Sequence, residues 1–311
     1  MFINEMQIGD QVEGFFILSN AFAKQAANGK PFLSAVLQDR TGTIEGKVWD
    51  YSGPVSPANI GAVVKIRGTV SEFRGMPQMT IDRIRLAEDN DQVQTNNLVP
   101  TAPIDVEASY CTIEALVDSI EDEDYATICR KMLAKYGTQF KTIPAAKSVH
   151  HGFLNGLLMH TLFMLQTADH MAGLYSAVID RSLLLAGTLL HDFAKIMEFT
   201  TSELGLVTDY SMKGNLIGHL VMGAQEVAQV AAELHTPEEK SVLLQHMILS
   251  HHGEPEYGAA VKPQCAESDL LSYIDMIDSR MEIYRETLQD VPAGEFSSRI
   301  FALEHRVYHH N

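Results

Sequence analysis

Cysteine is scarce in these 311 residues: Cys111, Cys129 and Cys265 are odd in number and far apart. A disulfide framework and a Cys-x-x-Cys metal site are both excluded by that spacing. No apolar run reaches the roughly 18 residues that a membrane-spanning helix needs, and residues 1–10 lack the basic-then-apolar pattern of a signal peptide. A cytoplasmic protein without a membrane partner is the expectation.

Basic residues are also few, 23 Lys and Arg against 40 Asp and Glu, for a net charge of −17. A partner made of phosphates is disfavoured by that total, because phosphate contacts need cations. The distribution weakens the objection, since residues 1–90 hold 9 basic against 10 acidic side chains and leave 14 against 30 for the remainder. Histidine is missing from the first 149 residues altogether. None of the 13 precedes His150, and ten fall between His150 and His252.

What the first ninety residues do contain is short alternating or β-branched segments separated by turn residues. Residues 12–18, 31–38, 43–50, 62–70 and 79–86 read as five strands with no long helix among them. The commonest closed arrangement of five strands is an OB-type barrel. Strand parity puts Ile44, Val48, Val64, Ile66 and Val70 inside and Lys47, Trp49, Tyr51, Lys65, Arg67 and Phe73 outside. Exposed aromatics beside cations suit a single-stranded nucleic acid, whose bases stack on rings while its phosphates follow the charges. The competing reading is the polar side of any barrel, with Trp49 covered by other parts of the chain.

Residues 91–108 are polar, low in apolar content and interrupted by Pro100 and Pro103, which marks them as a linker. From residue 109 the hydrophobic period becomes helical, and an all-α bundle over 109–311 is expected. An apolar helix over residues 182–190 carries His191 and Asp192 into the core, and Lys195 follows one turn later. Imidazole and carboxylate are the usual ligands of a catalytic divalent ion, and a desolvated Asp is costly without a cation. Further ligand-type residues stand on other helices. His160 lies on an apolar face shared with Phe153, Leu157 and Met164, where a hydrogen-bonded core histidine is the competing reading. His219 opens a helix over 215–234, His251 and His252 close one that starts at Pro237, and Asp275 and Asp278 lie one turn apart in a helix over 267–288.

These residues resemble the HD superfamily of metal-dependent phosphohydrolases. The combination with a barrel, and the motifs Gly156-Leu157-Leu158-Met159-His160-Thr161, Leu190-His191-Asp192-Phe193-Ala194-Lys195, Leu249-Ser250-His251-His252-Gly253 and Tyr273-Ile274-Asp275-Met276-Ile277-Asp278, resemble the YhaM-type 3′-5′ exoribonucleases over essentially the whole chain. Members of that group often carry Glu where this chain has Met159. The resemblance implies a multidomain protein, a nucleic-acid-binding OB barrel over 1–90 followed by an HD helical bundle, that shortens single-stranded RNA, and as a second candidate single-stranded DNA, to nucleoside 5′-monophosphates.

It further implies two divalent ions, Mn²⁺ by preference with iron or cobalt as alternatives. His160, His191, Asp192 and Asp275 would hold one ion. Asp192 would bridge to a second, completed by His219, His251 and His252. Asp192 and Lys195 would be catalytic, Lys195 by holding the scissile phosphate. Asp278 reads as a support for the ligands, and His151 as a substrate contact. A homo-oligomer is compatible with all of this. The alternative is a phosphodiesterase or nucleotidase for cyclic dinucleotides or nucleotides, with the barrel as a regulatory module.

Overall fold

The computed structural model describes the chain except for residues 27–28, 74, 89, 95–96, 147–151, 203 and 290. It divides into two compact units, residues 1–101 with 202–204 and residues 102–201 with 205–311.

In the first unit the strands β1 (Gln11–Gln25), β2 (Pro31–Asp39), β3 (Gly42–Trp49), β4 (Val63–Phe73) and β5 (Met76–Leu86) close a barrel in the order β1-β2-β3-β5-β4. Four neighbouring pairs are antiparallel, and β3 closes on β5 in parallel, Glu45 beside Gln78. The alternation that marks the strands in the sequence gives the inner face: Val12, Phe16, Leu33, Leu37, Val64, Ile66 and Met79 form the core. β1 is much longer than the expected 12–18, because the chain does not stop at the polar Ser19-Asn20. A bulge between Leu18 and Asn20 bends it, so that its first half pairs with β4 and its second half with β2. At Gly68 a Cβ would stand 2.4 Å from the Thr80 carbonyl oxygen, which is why the β4–β5 bulge needs glycine there.

Nine helices of the second unit follow among the described residues: α1 (Val106–Asp118), α2 (Glu123–Thr142), α3 (Gly156–Leu174), α4 (Arg181–Leu190), α5 (Lys195–Glu198), α6 (Met212–Leu216), α7 (Gly218–Glu233), α8 (Glu238–Ser250) and α9 (Ala266–Gln289). Two small hairpins, β6 (Phe199–Thr201) with β7 (Val207–Tyr210) and β8 (Phe296–Ile300) with β9 (His305–Tyr308), add to the expected bundle. No described helix is long and apolar enough to cross a membrane.

Helix α4 positions the site. Asp180 caps it by accepting from the Ser182 and Leu183 amides, and every residue from Ser182 to Leu190 is buried. A helix apolar on all sides must run through the core, and α4 packs against α2, α3, α8 and α9. Each of its buried leucines contributes roughly 1.5–3 kcal/mol. Phe193, just beyond, stacks on Phe140 of α2 at 4.8 Å and pins the turn that carries His191 and Asp192.

Candidate active site

His191 and His251 occupy equivalent places, the C-terminal caps of α4 and α8. A helix leaves its last carbonyls without intrahelical partners, and each ring uses one: His191 Nδ1 donates to the Thr188 carbonyl at 2.8 Å, His251 Nδ1 to that of Ile248 at 2.8 Å. With Nδ1 so engaged, Nε2 is the atom each ring offers to the cluster, at helix ends whose dipoles favour positive charge. At Gly253 the backbone turns left-handed, φ 75°, and the chain leaves α8 directly after the two histidines.

Two carboxylates orient the other rings. His160 Nδ1 lies 2.6 Å from Asp278 Oδ2, so the carboxylate one turn after Asp275 holds a ring rather than joining the inner cluster. His219 Nδ1 donates to Glu198 Oε1 at 3.0 Å, and the same oxygen accepts from the His219 amide at 2.9 Å. The sequence reading missed Glu198. Its signal is an acid among Ile196, Met197 and Phe199 one turn after Lys195, and it is buried.

The inner atoms then converge on Asp192. Its Oδ1 lies 3.4 Å from His219 Nε2 and 3.6 Å from His251 Nε2, while its Oδ2 lies 3.5 Å from His191 Nε2 and 3.7 Å from His160 Nε2. Asp275 Oδ1 stands 3.5 Å from His160 Nε2. His252 joins the far side, its ring 5.4 Å from that of His219 and 4.3 Å from that of His251. All seven residues expected as ligands are thus in one cluster. Three overlapping groups, His160 with His191 and Asp275, His191 with Asp192 and His251, and His219 with His251 and His252, each keep their ligating atoms within 4.8 Å of one another.

Whether these residues fit a metal can be judged from what they lack. Among the described residues five buried side-chain atoms have no hydrogen-bond partner, and four are Asp192 Oδ1, His219 Nε2, His251 Nε2 and His252 Nδ1. Leaving such groups unmatched costs about 1–3 kcal/mol each, and a divalent cation would satisfy the whole set at once. The donor set fits.

Charge follows the same geometry. Burial would raise the Asp192 pKa, but Lys195 and His191 outweigh it and hold the carboxylate well below its ordinary range. Lys195 Nζ sits 2.6 Å from Asp192 Oδ2, and despite its burial that charge raises its pKa, so it is a cation. Burial would lower His160, yet Asp278, Asp275 and Asp192 raise it. Burial lowers His251, and it pushes His252, with help from His251, down to about 3. A cavity of about 640 Å³ opens onto the cluster, with His160, Asp192, Lys195, His251, His252 and Asp275 in its wall.

On the barrel, Lys47 Nζ lies 4.4 Å from the centre of the Phe73 ring and 5.7 Å from that of Trp49, and Phe32 packs beside Trp49 at 5.0 Å. Trp49 and Phe73 are about half exposed, at 52% and 48%. Lys65 and Arg67 do not join this group. Lys65 pairs with Glu13 at 3.5 Å, and Arg67 lies opposite Glu13 in the β1–β4 ladder. Tyr51, expected outside, turns back against the barrel core and its hydroxyl accepts from the Val55 amide. His151 lies outside the described residues.

Comparison with known proteins places these two units. Residues 157–280 match the HD domain, and residues 20–87 match an OB-fold nucleic acid binding domain. The 3′-5′ exoribonuclease YhaM of Bacillus velezensis is 36% identical over 305 residues, covering 97% of this chain and 96% of the relative. The chain belongs to the YhaM family. The proteins of the same name from Bacillus licheniformis, 35% identical with 97% and 96% covered, and from a Geobacillus species, 36% identical with 97% and 93% covered, agree. The HD match spans every residue of the inner cluster together with Asp278 and Glu198, and the OB match spans the Lys47, Trp49 and Phe73 group. Met159, directly before His160, is buried with Ala102 and Phe153 and makes an apolar contact there.

Proposed function

We propose that this protein hydrolyses single-stranded RNA from its 3′ end and releases nucleoside 5′-monophosphates, with single-stranded DNA as a second candidate substrate. The observation that carries the reading is Asp192, one oxygen facing His219 and His251 and the other facing His160 and His191. A single carboxylate offered in two directions is what a pair of cations needs in order to share a ligand. His160, His191, Asp192 and Asp275 would hold one ion, and Asp192, His219, His251 and His252 the other. Mn²⁺ suits mixed imidazole and carboxylate donors, as do iron and cobalt. Bound there, two divalent ions supply an activated water at neutral pH and charge that offsets the phosphoryl oxygens during in-line displacement.

The remaining work belongs to the chain. Water adds to the phosphorus of the last nucleotide, the bond to the preceding 3′ oxygen breaks, and a proton returns to that oxygen. Lys195, a cation in the cavity wall, neutralises Asp192 and stands where a scissile phosphate would meet it. Asp278 and Glu198 hold two rings in one tautomer. Residues 1–90 would form the RNA-binding domain, with Trp49, Phe73 and Lys47 as its stacking face. The cysteines are all unpaired, which suits the reducing cytoplasm proposed as its location.

Incubating the protein and Mn²⁺ with a 5′-labelled oligoribonucleotide and, separately, with a cyclic dinucleotide tests this directly. Progressive 3′ shortening with release of monomers supports the reading. Turnover of the cyclic compound alone replaces it with a small-molecule phosphodiesterase.

A further inference from the structure

Two groups in the cavity wall have no part in the cluster below them. Phe301, in the tight turn Phe301–Leu303 that joins β8 to β9, is 96% exposed. That turn is firmly held, because Leu303 and Val307 pack on Ile283 of α9 and are 4% exposed. Glu304 closes it in the left-handed conformation, φ 62°. An aromatic ring is therefore presented to water by an anchored turn at the mouth of the cavity. Arg280 of α9 lines the same cavity and makes no ion pair among the described residues, although Glu304 lines it too.

We propose that Phe301 and Arg280 form a nucleotide clamp: Phe301 stacks on a base beside the scissile bond, and Arg280 takes a neighbouring backbone phosphate. The clamp rests on the exoribonuclease reading given above. A cavity of about 640 Å³ is of the size that holds a small ligand, well beyond what one phosphate group occupies. Stacking is indifferent to sequence because every base has a π-face, and a guanidinium fits phosphate through two parallel hydrogen bonds. The clamp thus gives grip on the 3′ end without base preference.

The test uses the full chain with Mn²⁺ and oligoribonucleotides that are intact or lack one base at each of the last four positions. Phe301→Ala raises KM on the intact strand by about 5- to 150-fold, the range spanned by loss of one base–aromatic stack. For one abasic position the gap between variant and wild type closes, and Phe301→Tyr restores the wild-type KM. Arg280→Gln makes the fall of log(kcat/KM) with log[salt] shallower by about 0.7, one phosphate contact to a single strand. Wild-type KM in Phe301→Ala, or a gap that persists at all four positions, overturns the clamp alone. A smaller particle in solution for Phe301→Ala with unchanged KM assigns the exposed ring to a second copy of the chain, and also overturns it. Wild-type protein that shortens no oligonucleotide overturns the clamp and the exoribonuclease reading together.

Discussion

The Nε2 atoms of His160 and His191 face each other at 3.2 Å, while the Nδ1 of each ring is committed elsewhere, to Asp278 and to the Thr188 carbonyl. Two neutral rings in those tautomers would point lone pair at lone pair. Positive charge has to lie between them, as a proton or as a metal ion. The raised pKa of His160, reached against its burial, is the proton solution. Cation binding would be the other, and the two compete.

Removing the groups that aim the rings should therefore weaken metal binding without destroying it. Asp278→Asn and Glu198→Gln are each expected to lower Mn²⁺ affinity by about 10- to 100-fold, with activity recovered at high Mn²⁺. Activity against Mn²⁺ concentration checks this. A lost maximum that excess metal does not restore would assign both carboxylates another task.

Asp192→Asn keeps the shape of the side chain and removes its charge. Turnover should fall by about a thousandfold or more, since a shared carboxylate cannot be replaced by a neutral amide in a two-cation site. Oligonucleotide binding measured by fluorescence anisotropy should stay within about threefold of wild type. Equal loss of both would contradict the division of labour between the two units.

Protonation of His252 gives a pH signature in chelator-treated protein. With its folded pKa pushed down to about 3 by burial and by His251, the unfolded chain binds a proton below about 6.5 that the folded chain refuses. Its effect is absent above that pH, and as pH falls toward 3 it removes about 1.4 kcal/mol of stability per unit. His160, raised, acts in the opposite sense, fully stabilising below about 6.5 and less as pH climbs through its folded value. Urea unfolding of wild type and His252→Gln isolates the first group. The wild type should lose stability more steeply between pH 6 and pH 4, by roughly that slope, and parallel curves would contradict the assignment.

The barrel face predicts a length effect. Trp49→Ala should weaken binding of a twenty-nucleotide strand by about 5- to 150-fold, and leave hydrolysis of a dinucleotide unchanged. Equal effects on both substrates would move Trp49 from RNA binding to general stability.

Much of this was legible in the sequence because it is local. An apolar run ending in His191-Asp192, two acids one turn apart at 275 and 278, and alternation over β2 to β5 need only neighbours along the chain to be read. The missed features depend on partners far away. β1 continues past Ser19-Asn20 because β2 arrives to pair with it, and the helix expected over 215–234 breaks at Ile217 and Gly218 so that the His219 amide can meet Glu198. Glu198, an acid among apolar neighbours, shows its task only once His219, 21 residues on, is bonded to it.

The most direct test of the whole account is calorimetric titration of Mn²⁺ into metal-free wild-type and Asp192→Asn protein. Two ions per wild-type chain are expected, with protons released on binding and at least one ion lost from the variant. A wild type that binds no Mn²⁺, or a variant that binds it with unchanged stoichiometry and affinity, would contradict it.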